Sequence, residues 1–191
     1  MPSTIRLPAF ASCYSAAAMA DDRDDRFRIK QLSPDGIVAA QEKAEQYRRL
    51  NEAREAESIS RDILRVEPDN QKALVTLLLA LTDQFPRHLA DKYEEARELV
   101  PRLSGPYERS YYSGIICERR AKVHHLGRAP RSGAVAYEWL RDAMDWYEKA
   151  EQHRAAGNDD AILRWNTCVR MIRTHRNLAP DDDDEPPLML E

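Results

Sequence analysis

The chain has 191 residues, a formal net charge of −4, 6 glycines and 3 cysteines. That charge is too small to name a partner class, and no run of about 18 apolar residues is present, so no membrane-spanning helix is expected. Ala, Glu, Leu and Arg dominate and alternating β-branched runs are missing, which excludes sheet-based folds and predicts an all-α chain. Cys13, Cys117 and Cys168 are odd in number and scattered. They show no Cys-x-x-Cys or Cys/His ligand spacing, which implies inert thiols in a reducing cytoplasm rather than a disulfide framework or a zinc site.

The first elements come from the N-terminus. Met1 to Ala20 combines Arg6, a weakly apolar stretch and an Ala18-Met19-Ala20 end, which loosely imitates a secretory signal. Phe10-Ala11-Ser12-Cys13 imitates a lipoprotein cleavage site in the same loose way. Pro8, Ser12, Tyr14 and Ser15 dilute the apolar centre, so residues 1–32 are read as a disordered extension. A helical domain is expected over 33–178 and a disordered acidic tail over 179–191.

Ser33-Pro34 predicts the start of the first helix, with Ser as N-cap and Pro in its first turn. Ile37, Ala40, Ala44 and Tyr47 share one face. The second helix carries Ala53, Ala56, Ile59, Ile63 and Val66, and stops at Pro68-Asp69-Asn70, where Asp69 and Asn70 can cap the helix that follows. Leu74 to Leu81 predict the third helix. A lengthened turn is expected from Pro86 to Ala90, then a fourth helix through Tyr93, Ala96, Leu99 and Leu103, disturbed at Pro101. Pro106 opens a fifth helix that ends at Gly127, and Gly127 to Gly133 is a loop by its local signals. A long sixth helix is predicted from about Ala134 to Ala156, ended by Gly157. The seventh is capped by Asn158 and shows a stripe of Ala161, Ile162, Trp165, Cys168, Val169 and Ile172.

Tyr47, Ala56 and Pro68 fall where one helical-hairpin family needs an aromatic late in the first helix, a small residue at the helix crossing and a proline after the second helix. The stretch Tyr47 to Asn70 resembles a tetratricopeptide repeat, a helix pair with a period of about 34 residues. Ser60 and Ile63 depart from the family pattern, which has a bulky and a small residue there. Ala96, in Tyr93-Glu94-Glu95-Ala96, is taken as the second crossing residue, and it lies 40 residues after Ala56 (96 − 56). The resemblance implies a right-handed α-solenoid of about seven antiparallel helices, with a C-terminal capping helix. It further implies a non-enzymatic scaffold or adaptor for proteins, binding its partner on a concave face lined by first helices. On that rule the partner-binding residues are expected to be Glu42, Glu45, Arg49, Thr76, Arg109 and Arg120.

Catalytic signals are missing. No Gly-x-Ser-x-Gly and no Gly-rich phosphate loop occurs, and no cofactor or metal is expected. His124 and His125 point about 100° apart on a helix and cannot easily share an ion. From Pro101 to Arg176 there are 14 Lys/Arg and 9 Asp/Glu, an excess of 14 − 9 = +5. Tyr111 and Tyr112 lie among Arg109, Arg119, Arg120 and Lys122 there, so nucleic-acid contact through a basic face around 109–131 is the competing reading. A structural subunit of a larger enzyme complex is a third. The basic excess also faces Asp181-Asp182-Asp183-Asp184-Glu185, so the tail is expected to fold back onto the C-terminal helices.

Overall fold

A computed structural model describes residues 27–181 of the chain. The expectations for residues 1–26 and 182–191, the imitation of a targeting signal and most of the acidic tail among them, lie outside the described residues. The chain divides into two units at residues 30 and 31, and the helical fold belongs wholly to the second.

Seven α-helices follow one another, and no strand occurs among the described residues: α1 (Ile37–Arg49), α2 (Ala53–Val66), α3 (Gln71–Asp83), α4 (Phe85–Leu99), α5 (Pro106–Leu126), α6 (Ser132–Glu151) and α7 (Asp160–Thr174). Each packs on the next. In addition α1 touches α3, and α3 touches α5. The middle of this layout is α3, whose Leu74, Leu77, Leu78 and Leu81 are buried together with Ala73, Thr76, Ala80 and Thr82. A helix buried on so many sides needs neighbours on more than one face. Three apolar clusters run along the unit. Leu64 links the first two, and Leu79, Tyr112 and Trp139 link the second to the third.

The first helices of the first two pairs repeat with a fixed spacing. The α3 helix begins and ends 34 residues after α1 (71 − 37 and 83 − 49). Side chains 34 or 35 residues apart bond to each other. Gln41 Nε2 donates to Thr76 Oγ1 at 2.9 Å, Arg48 Nε to Asp83 Oδ2 at 2.8 Å, and Lys92 Nζ to Glu57 Oε1 at 2.7 Å, each pair 35 residues apart. Arg61 pairs with Glu95, and Arg102 Nη2 donates to the Pro68 carbonyl at 2.6 Å, each 34 apart.

That spacing corrects the lengthened turn expected over Pro86 to Ala90. Only Gln84 separates α3 from α4. Pro86 sits in the first turn of α4, where its missing N–H costs nothing. The helix itself is kinked at His88, with φ −140° and ψ 45°. Ala90, 34 residues after Ala56, is exposed, whereas Ala96 is fully buried.

Other boundaries moved for local reasons. A 3-10 turn, Pro34–Gly36, precedes α1, and Ser33 makes no side-chain cap bond. Asn70 does cap α3, its Oδ1 accepting from the Ala73 N–H at 3.0 Å. Pro101 falls in a 3-10 turn, Val100–Arg102, that closes α4. Ser132 and Gly133 belong to α6 rather than to the loop, and α6 stops at Glu151, short of Gly157. Gly157 has φ +82° in the following turn, a conformation that favours glycine. Asn158 Oδ1 accepts from the Asp160 N–H at 3.1 Å, while Asp159 holds the N-cap position of α7.

The third pair, α5 and α6, is longer, at 21 and 20 residues, and forms the most extensive helix interface. Gly114 lets these helices meet: a Cβ there would lie 2.5 Å from the Tyr147 ring.

Candidate functional site

Residues at i, i+3 or i+4, and i+7 of a helix share a face. On α1 these are Gln41, Glu45 and Arg48. On α3 the matching set is Thr76, Leu79 and Asp83, and on α5 it includes Arg119 and Lys122. A polar seam joins them across the odd-numbered helices. Buried Gln41 donates to Thr76, and also to Glu45 Oε1 at 3.2 Å. Asp83 receives Arg48 on one oxygen and Arg119 Nη1 on the other, at 2.6 Å. Arg119 also donates to the Leu79 carbonyl at 3.0 Å and to Thr82 Oγ1.

The seam continues into α7 through Glu118, which is 1% exposed. Its carboxylate takes Tyr147 Oη at 2.7 Å from α6, Arg164 Nη1 at 3.3 Å from α7, and Lys122 from its own helix. A buried carboxylate is costly unless paired and hydrogen-bonded. Burial pushes the Glu118 pKa up, but the Lys122 charge and hydrogen bond, the Tyr147 hydrogen bond and the Arg164 charge outweigh it and hold the group below the ordinary value. Burial lowers the Arg119 pKa, against the attraction of Asp83. Burial also drives the Tyr147 phenol upward, so it stays a neutral donor.

Accessibility along the seam is unequal. Lys122, Arg164 and Arg48 keep 42%, 36% and 30% of their side-chain surface, whereas Asp83 keeps 23% and Glu118 1%. Glu118 is enclosed while its partners Lys122 and Arg164 remain at the surface; Asp83 is nearly as accessible as Arg48 and more so than Arg119, at 17%, and Glu45 is exposed. Arg–carboxylate pairs fix geometry as well as charge, so these cations are held in place.

Of the residues expected to read a partner, Glu45 lies on the seam. Glu42 and Arg49 are exposed, one register step away from it. Thr76 lies on the seam but is buried, 5% exposed, and bonded to Gln41, so its hydroxyl is already used. Arg109 and Arg120 do not join this face. Arg109 Nη1 donates to the Leu103 and Ser104 carbonyls at 2.7 and 3.2 Å. Arg120 lies between the Tyr93 and Trp139 rings, 4.0 and 4.1 Å from their centroids. The arginines at 109, 119 and 120 thus serve three separate sets of local partners. Among the structural positions, Ala56 and Ala96 are fully buried, Tyr47 is half-buried and Pro68 is exposed.

No family model, curated protein or solved structure matches this chain.

Of the residues that carry the seam, Arg48, Asp83, Glu118 and Arg164 are marked by no sequence expectation as site residues, and Arg119 only as part of a basic face. One signal was available for the first of them: Arg48 and Asp83 are opposite charges one repeat step apart. Nothing comparable marks Glu118 and Arg164, because the third helix pair leaves the 34-residue spacing.

Two further features lie off the seam. Cys117 and Cys168 are buried free thiols, each pushed up to about 12 by burial. The His125 ring packs on His175, centroids 4.4 Å apart. Among the described residues no group of three His, Cys, Asp or Glu could hold a metal ion.

Proposed function

We propose that this chain is a non-enzymatic protein-interaction scaffold, a right-handed tetratricopeptide-like array that grips an acidic segment of a partner protein along its odd-numbered helices. The 34-residue offset between α1 and α3 and the bonds between side chains 34 or 35 residues apart support the repeat reading. The observation that carries the function is at Glu118: Lys122 and Arg164 face water while the carboxylate that positions both is enclosed, and Arg48, held by Asp83, lies on the same seam. Preorganised cations cost a partner less ordering entropy on binding, and complementary charge gives specificity and fast association.

The test is capture from source lysate with nuclease treatment, comparing the natural chain with an Arg48→Gln, Lys122→Gln, Arg164→Gln variant and with Arg65→Gln on α2. The reading expects a defined protein that survives nuclease, is lost with the triple variant and is kept with Arg65→Gln. Capture that depends on nucleic acid would move the assignment to phosphate contact, whose affinity falls steeply with salt. Retention by the triple variant with its fold intact would remove the seam from the binding site.

A further inference from the structure

A second surface lies between α4, α5 and α6. Tyr93, Val100, Pro101, Ile116, Trp139 and Trp146 line a groove of ≈ 410 Å³. A neighbouring hollow of ≈ 370 Å³ shares Val100, Pro101 and Trp146. The aromatic walls are held in place. Tyr93 and Trp139 meet edge to face, 5.9 Å apart, with Arg120 against both rings, and Lys149 lies over Trp146.

Three features of the groove bear on what it holds. Trp139 and Trp146 are half-buried and seven residues apart on α6, about 10.5 Å along its axis. Neither indole N–H has an acceptor among the described residues, whereas Trp165 Nε1 donates to Glu148 Oε1 at 3.2 Å. Asp142 falls between the two tryptophans on α6. It is exposed and lines the groove without an ion pair among the described residues. The other charged groups that line the two hollows are engaged: Arg97 with Glu94 at 3.0 Å, and Arg109 with the Leu103 and Ser104 carbonyls.

A polyproline II segment returns every third residue to one face after about 9.3 Å, so two prolines three apart match the spacing of the indoles to about 1 Å. Its backbone makes no internal hydrogen bonds, which leaves its carbonyls free to accept from indole N–H groups. An α-helix can present anchors at a similar rise, but its carbonyls are bonded within the helix and leave the indoles unanswered. A segment that is extended before it docks in an aromatic-lined groove also loses little entropy. Asp142 adds a charge requirement, a Lys or Arg between the prolines. We infer that this groove binds an extended segment of a partner protein, with prolines three residues apart on Trp139 and Trp146 and a basic residue between them paired with Asp142. The site is separate from the seam, whose proposed ligand is acidic, so either assignment can fail without the other.

The test titrates the full chain with two acetylated, amidated peptides, Ala-Ala-Pro-Arg-Ala-Pro-Ala-Ala and Ala-Ala-Pro-Ala-Arg-Pro-Ala-Ala. Indole N–H signals of the 3 tryptophans are followed by NMR. With one or both peptides the Trp139 and Trp146 signals should move saturably while Trp165, bonded to Glu148, stays. Replacing both prolines by alanine, or the arginine by glutamate, should weaken binding several-fold. Asp142→Asn, at an exposed position, should weaken the arginine peptide several-fold and leave an alanine version of it unchanged. Indole signals of Trp139 and Trp146 that stay still with both peptides, that move equally with the proline-free peptide, or that ignore Asp142→Asn would each overturn the inference.

Discussion

Tyr147 Oη on α6 donates a 2.7 Å hydrogen bond to Glu118 Oε2 on α5, and both groups are fully enclosed. This bond ties the α5–α6 interface to the polar seam. Removing the hydroxyl in Tyr147→Phe leaves a buried acceptor short of one donor, at a cost of about 1–3 kcal/mol. Glu118→Ala leaves the enclosed Tyr147 hydroxyl without its acceptor, at a cost of about 1–3 kcal/mol, and adds the cost of the cavity left by the side chain. Thermal or denaturant unfolding checks both, and Glu118→Ala must be the more damaging.

Gly114 faces the same ring. Gly114→Ala puts a methyl 2.5 Å from Tyr147, which is 0% exposed and has no room to retreat. Overpacking of this kind costs about 1–3 kcal/mol. Gly157→Ala is the comparison. It meets no neighbour within 4 Å but must hold φ +82°, so its penalty is backbone strain of about 1 kcal/mol. Denaturant midpoints should rank Gly114→Ala below Gly157→Ala.

Acid should weaken the fold in two steps. His125 is held below the ordinary value of 6.5 by burial first and then by the nearby His175 charge. A base with a lowered folded pKa contributes stability that is complete above 6.5 and is lost as pH falls from there through the folded value. Glu57 and Glu118 are held below 4.5, against burial, by their cationic partners. Their contribution is complete above 4.5 and is lost as pH falls through their folded values. The melting temperature should therefore be flat above neutrality, dip below pH 6.5 and drop more steeply below 4.5. His125→Asn should remove part of the first dip and leave the second.

Cys117 and Cys168 should resist thiol reagents. Burial raises both thiols to about 12, so little thiolate forms near neutral pH. Labelling followed by mass spectrometry should find both unmodified in the native protein at pH 8 and modified once it is unfolded. Fast native labelling at either would contradict the packing described.

The helical course was largely legible in the sequence, and the reasons are local. Proline and asparagine at Pro68 and Asn70 end one helix and cap the next, and apolar residues at helical spacing mark each buried face. The missed features depend on tertiary packing. The kink at His88 hides inside a helix that looks, from Pro86, like a long turn. Ser132 and Gly133 look like loop residues, yet Gly133 is in α6 because the Asn177 carbonyl passes where a side chain would be. Glu42 and Arg49 are as polar as Glu45 and Arg48, so the sequence does not say which of them border α3. Only the contact of α1 with α3 decides between them. Glu118 reads as a solvent-facing acid, and nothing in its neighbours announces that Tyr147 and Arg164 enclose it.

The central claim is that the odd-numbered helices receive an acidic protein segment. It is tested most directly by placing a photo-crosslinking residue at Glu45, on the seam, and separately at Arg65, on α2, then exposing each protein to nuclease-treated source lysate. The account predicts a discrete protein cross-linked at 45 and not at 65, with the signal lost on Lys122→Gln. Cross-links to the same protein at 65 alone, or at neither position while capture persists, would contradict it.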